Sequence, residues 1–275
     1  MSFELYLFYK NQEMVLSANQ SMAITTFVID WEYLGKKERQ IGYNTSIRPD
    51  SREDLSLLRS LTTKKIICRI NNHPALIEED IRSAIDLGAD EILLPMVKST
   101  EEIYRAIELT KECAPLAILL ETVEALEILE EIKVSPISKV YVGLSDLMVA
   151  RKSKNLFEPI IDGTLEQIRN KISKPFGFGG VTTIDSGAPI PCKLLLAEMV
   201  RLKTSFSFLR SSFFRDIADK NLVSEVEKIL AFVESLEKRT AEETENDHKH
   251  LANQIKLCAK EQFLSPEPQE LSAGI

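Results

Sequence analysis

Two carboxylates stand where apolar runs end. Glu121 follows Ala117-Ile118-Leu119-Leu120 directly, and Asp146 comes shortly after Val140-Tyr141-Val142-Gly143. A carboxylate at the end of an apolar strand must be neutralised, paired or metal-bound, because a bare buried charge is costly. Two of them on adjacent strands suit one hard divalent ion, with water and substrate oxygens filling its octahedron. Two separate ion pairs are the plainer alternative. Arg69 closes the run Lys65-Ile66-Ile67-Cys68. A guanidinium at that depth can hold a carboxylate or enolate oxygen through two N–H groups. It can equally pair with Asp30 or Glu32 on the neighbouring strand, and the two roles are compatible.

A second constellation lies further on, in the loop Phe176-Gly177-Phe178-Gly179-Gly180-Val181-Thr182-Thr183. Gly179 and Gly180 let backbone N–H groups approach an anion, and barrels often bind phosphate after strands seven and eight. Thr182, Arg210 and Arg215 would add donors and charge. A tight turn, with the arginines in salt bridges, is the alternative. If the loop does recognise an anion, the substrate carries a second acidic or phosphate group. Lys98 also ends a run, where a lysine can form a Schiff base, but a solvated lysine at a helix start fits it better.

The elements that must position these groups recur about every 30 residues. Apolar, β-branched or aromatic runs fall at 4–9, 25–31, 65–71, 91–97, 116–122, 139–143, 175–180 and 206–211. They lack strict alternation, as expected of strands covered on both faces. Helical patterns lie between them at 75–88, 99–112, 123–132, 162–172, 190–202 and 222–237. Ser99 and Glu102 have the spacing of a capping box, and Gly88 has the look of a C-terminal stop. Eightfold strand–helix alternation predicts a (β/α)8 TIM barrel, with active residues at the C-terminal strand ends. An open doubly wound sheet competes, but no GxGxxG or GxxxxGK[ST] follows any run.

The 275 residues thus read as a barrel over 1–239 and a polar extension over 240–275. The extension has seven acids against three bases, so it holds half of the net charge of −8. A short helix with a weak stripe of Leu251, Ile255, Cys258 and Phe263, then a disordered end at Pro266 and Pro268, is one reading; an oligomer-contact helix is the other. With 42 acids against 34 bases, a nucleic acid or an anionic membrane is a poor partner. No apolar run of membrane-spanning length occurs, and the start lacks the pattern of a signal peptide. Cys68, Cys113, Cys192 and Cys258 are far apart and suggest reduced thiols in a cytoplasmic protein. Three histidines argue against a multi-histidine zinc site.

Five motifs in order resemble the HpcH/HpaI-type aldolase/citrate lyase family. They are Asp30-x-Glu32, Arg69-x-Asn71, the run Gly88-Ala89-Asp90-Glu91-Ile92-Leu93-Leu94-Pro95-Met96-Val97, Leu120-Glu121-Thr122 and Gly143-x-x-Asp146-Leu147. The resemblance covers about residues 4–235. It implies a barrel of the phosphoenolpyruvate/pyruvate type and Mg2+ or Mn2+ held by Glu121 and Asp146. The ion would chelate a 2-oxo acid. Arg69 would hold the keto oxygen and stabilise the enolate, while Asp30 and Glu32 would organise Arg69 and metal waters. Homo-oligomers are common in the family, and the helix at 222–237 is the one its members often exchange between subunits.

One position departs from the pattern. The family's pyruvate aldolases carry a catalytic histidine in the loop after the second strand, where this sequence has Tyr33. The second acid of the citrate-lyase branch is absent too. His73, a metal-bound water, Tyr33 and Glu32 are the substitutes for proton transfer. The expected function is a metal-dependent carbon–carbon lyase acting on a 2-oxo acid through a pyruvate-like enolate. A citrate/malyl-type acyl-CoA lyase or thioesterase is an alternative, and so is a barrel that has lost catalysis and serves binding or assembly.

Overall fold

The computed structural model describes residues 3–35 and 49–264. Eight strands run in sequence order around one closed parallel barrel. They are β1 (Glu4–Phe8), β2 (Ile24–Asp30), β3 (Lys65–Arg69), β4 (Glu91–Leu94), β5 (Leu116–Leu120), β6 (Lys139–Val142), β7 (Phe176–Phe178) and β8 (Phe206–Leu209). Pairing of β1 with β8 closes the ring. With helices between the strands this is a TIM barrel, as the alternation predicts. Each strand stops one to three residues before its apolar run does. The ladder ends where the chain turns into the mouth, yet Trp31, Asn71, Glu121 and Thr122 remain buried beneath the loops. Burial at those ends prolongs the apolar signal beyond the hydrogen-bonded strand.

The barrel has two cores. Its interior is filled by side chains from alternating strand positions, among them Tyr6, Ile67, Leu119, Tyr141, Phe206 and Phe208. Tyr6 stacks on Phe206 at 4.7 Å and Tyr141 on Phe208 at 4.0 Å between centroids. At the N-terminal end a buried Lys139–Glu91 pair at 2.8 Å closes the floor, with Lys139 also donating to the Tyr6 hydroxyl. The second core lies between the strands' outer faces and the helices. This double-sided burial explains why the runs do not alternate.

The helices follow the expected pattern with local differences. Ile77–Asp86 ends before Gly88, whose φ of +96° suits glycine and where a Cβ would meet the Arg59 side chain at 2.7 Å. Ser99 caps Thr100–Thr110, but Glu102 turns back to the Lys98 N–H and to Asn72, so only half of the capping box forms. The segment expected at 123–132 is two short helices, Val123–Glu127 and Leu129–Val134. Besides the short Leu144–Ala150, Glu158–Ile161 and Ser211–Asp216, the helices outside the expected pattern include two longer ones, Gln12–Asn19 and Arg52–Leu61. The second opens with a complete capping box between Ser51 and Asp54.

The acidic extension is not a short helix. Ala241–Leu264 spans 24 residues and packs on Cys192–Arg201. Leu251 and Ile255 are buried there, the Arg239 guanidinium donates to the Ala197 carbonyl at 3.0 Å, and His248 lies 3.0 Å from the buried Glu198 carboxylate. Its sparse apolar positions sufficed because they fall four residues apart, on one face. The end at Pro266 and Pro268 lies outside the described residues. All four cysteines are free, and among the described residues no helix is long and apolar enough to cross a membrane.

Candidate active site

The C-terminal ends of the strands surround a cavity of about 540 Å3. Glu121 enters it one residue past β5 and is 2% exposed. Local structure fixes its position. Thr122 leaves the strand extended and caps Val123–Glu127, accepting the Ala125 N–H at 3.0 Å. The Met96 N–H donates to Glu121 Oε1 at 2.9 Å. Met96 itself has a φ of +51°, a left-handed backbone that a side chain tolerates at a cost. Gly143 faces the other carboxylate oxygen, so a side chain there would collide with Glu121. Gly143 also starts the turn that carries Asp146 into the first turn of Leu144–Ala150.

Electrostatics mark this corner as short of positive charge. Burial first, then the neighbouring Asp146 and Glu32, push the Glu121 carboxyl up to about 8. Arg69 and the Met96 N–H oppose that shift without cancelling it. Asp30, Asp50 and Asp146 line the same cavity. Arg69 is bound tightly to its neighbours: Nε and Nη2 donate to Asp30 at 2.7 and 2.6 Å, and Nη1 lies 3.2 Å from Glu32. Arg69 thus forms the pair with Asp30 and Glu32, with three of its five N–H groups engaged, and its side chain also lines the cavity. Among the described residues no group of three His, Cys, Asp or Glu side chains is arranged to hold a metal. The donor set offers two carboxylates, Glu121 and Asp146, which fits a hard cation that takes its other oxygens from water and substrate.

Asp30, Arg69, Glu121, Asp146, Gly179, Gly180 and Arg210 all meet at the cavity. Glu32 is buried behind Arg69 and braces it. His73 does not join them. It is exposed on the loop after β3, its Nδ1 accepts the Ala75 N–H at 3.2 Å, and it is not among the residues lining the cavity. Thr182 is buried and donates to Asp216, so its hydroxyl is occupied within the wall. Arg215 is exposed and pairs with Asp216. Tyr33 is 47% exposed and is not among the cavity's lining, nor is Lys98, which is solvated. Asn71, noted only as part of a motif, clamps the loop after β2 by accepting the Tyr33 and Leu34 N–H groups and donating to the Trp31 carbonyl.

Two charged lining residues carry no motif in the sequence, Asp50 and Lys10. Asp50 is tied to Asp30 by two bonds of 2.8 Å, one from the Asp30 N–H to its carboxylate and one from its own N–H to the Asp30 carbonyl. Its only sequence signal is the capping box that begins at the next residue, Ser51. Lys10 gave no signal beyond its place two residues after β1.

Comparison with known proteins adds to this geometry. The family model described as HpcH/HpaI aldolase/citrate lyase matches residues 45–172, the stretch that carries Arg69, Glu121 and Asp146. Among curated proteins none matches the chain. Among solved structures, a citrate lyase from Burkholderia xenovorans is similar with a TM-score of 0.59 at 15% identity, covering 97% of this chain and 85% of that one. RipC from Yersinia pestis is similar with a TM-score of 0.53 at 15% identity, covering 88% and 97%. The 3-hexulose-6-phosphate synthase from Salmonella typhimurium gives 0.57 at 12%, covering 86% and 100%. At these identities the structural likeness speaks to the barrel alone.

Proposed function

From a chain whose residues 45–172 belong to the HpcH/HpaI aldolase/citrate lyase family, we propose a divalent-metal-dependent carbon–carbon lyase of the class II aldolase type. It cleaves or forms a 2-oxo acid through a pyruvate-like enolate. The observation that carries this reading is the pair of carboxylates, Glu121 and Asp146, set on adjacent strand ends in a corner short of positive charge. Glu121 and Asp146 would hold Mg2+ or Mn2+, whose Lewis acidity offsets negative charge developing on substrate oxygen.

The chain's own residues do the rest. Arg69 donates its two uncommitted N–H groups to the keto oxygen, where charge grows as the C–C bond breaks. Asp30 and Glu32 keep its guanidinium in one orientation, so little reorganisation is needed during the reaction. Phe8, Leu119 and Phe208 line the cavity floor and limit water around the enolate. In cleavage, a base takes the proton of the substrate hydroxyl as the aldehyde leaves, and an acid returns a proton to the methyl carbon. Asp50 fills that role in place of His73, because its carboxylate lies in the cavity beside Asp30.

The test is proton exchange at the methyl group of pyruvate in D2O, with Mn2+ or Mg2+. Exchange that needs the ion, and is lost in Glu121→Ala and Asp146→Ala, supports the reading. Folded protein with neither exchange nor ion binding overturns it and favours a binding or assembly barrel.

A further inference from the structure

The two sides of the cavity differ in charge. Asp30, Asp50, Glu121 and Asp146 lie along the strands from β2 to β6, while Lys10 and Arg210 come from the neighbouring strands β1 and β8. Arg69 is neutralised by Asp30 and Glu32, but Lys10 and Arg210 are not matched in this way. Among the described residues neither has a carboxylate within ion-pairing distance. The Lys10 ammonium sits 5.0 Å from the centre of the Phe214 ring, on the short helix that begins just after Arg210. Arg210 Nε is buried without a hydrogen-bond partner, and so is the Ser212 hydroxyl two residues on. A buried donor with no acceptor costs free energy, and the remaining N–H groups of this guanidinium, on a residue that lines the cavity, are the ones an anion there can take.

The backbone keeps Arg210 in this place. Its N–H donates to the Val181 carbonyl at 3.0 Å, anchoring it to the turn after β7. The stem of its side chain lies across Gly180, where an added Cβ would come within 2.8 Å of Arg210 Cβ. Gly180 thus makes room for the Arg210 side chain. Burial lowers the Arg210 pKa, opposed only by Cys192 and Asp216. A resident anion would relieve that penalty.

We propose that Arg210 and Lys10 form an anion subsite on the β8–β1 side of the cavity, opposite Glu121 and Asp146, and that the substrate carries a second anionic group, carboxylate or phosphate, at its far end. The claim about the substrate rests on the lyase reading; the subsite itself does not. The guanidinium fork suits either group, while Lys10 adds a point charge nearer solvent.

Binding of two probes, inorganic phosphate and succinate, is measured by calorimetry or NMR titration on the full chain without divalent metal. At least one should bind, about tenfold weaker in Arg210→Gln and severalfold weaker in Lys10→Met, with Arg210→Lys between wild type and Arg210→Gln. Tighter phosphate points to a phosphorylated substrate, and tighter succinate to a dicarboxylic one. Lys10 is exposed, so its variant keeps the test decisive if Arg210→Gln fails to fold. Binding of neither probe, or equal binding by wild type and the variants, overturns the subsite. That result can coexist with metal-dependent pyruvate exchange, and Arg210-dependent binding can survive its absence, so the two failures are separable.

Discussion

Glu121 decides how this site responds to pH. Its carboxyl stands near 8 in the folded chain, against 4.5 for an ordinary glutamate, chiefly because it is buried. Between those values the folded chain keeps a proton that the unfolded chain has released, so metal-free stability falls as pH rises through that window. A divalent ion competes for the same carboxylate. Mn2+ affinity is therefore expected to rise from pH 6 to about 8 and then level off. Titrations at several pH values check this, and Glu121→Gln should remove both the stability slope and most of the binding. Proton transfer is a second test at this scale. Asp50→Asn is expected to slow pyruvate exchange by about 100-fold or more, the usual range for a lost acid–base group. His73→Ala should stay within about twofold of wild type, because its ring is held on the surface by the Ala75 N–H.

Elements position these residues, and sequence patterns revealed some of them better than others. The strands were readable because both faces are buried, which makes each run apolar throughout. Glu121, Asp146, Arg69 and Asp30 were readable because each is a charge at the end of such a run. Lys10 and Asp50 were not, since each lies in a polar connection where a charge is ordinary and only the closed barrel brings it to the mouth. His73 is the converse case: it follows β3 closely, yet it is exposed in the turn at Ala75 and does not line the cavity. The helix Ala241–Leu264 was underestimated, since its mostly polar residues conceal the contact made by Leu251 and Ile255. Ile255→Ala is expected to cost about 3 kcal/mol, the usual range for a buried aliphatic cut to alanine. In a chain of this size that lowers Tm by roughly 5–10 °C, measurable by calorimetry. An unchanged Tm would mean that the helix is not docked in solution.

At the scale of the whole molecule, the barrel and its extension divide the acidity evenly, so the net charge of −8 says little about the substrate. Charge matters through its arrangement inside one cavity, with carboxylates and Arg69 on one side and Arg210 and Lys10 on the other. We propose that the working form is a homo-oligomer. In the single chain the apolar stripe of Leu222–Leu236 is already covered, with Val226, Ile229 and Val233 buried. A chain cut before Thr240 should accordingly lose Tm while keeping the oligomeric size of the full chain, as read by sedimentation. The central claim is that Glu121 and Asp146 place a divalent ion where a 2-oxo acid forms its enolate. Methyl-proton exchange of pyruvate in D2O tests it most directly. The account expects exchange that requires Mn2+ or Mg2+ and disappears in Glu121→Ala and Asp146→Ala; exchange that persists in those folded variants, or is absent from the wild type at saturating ion, would contradict it.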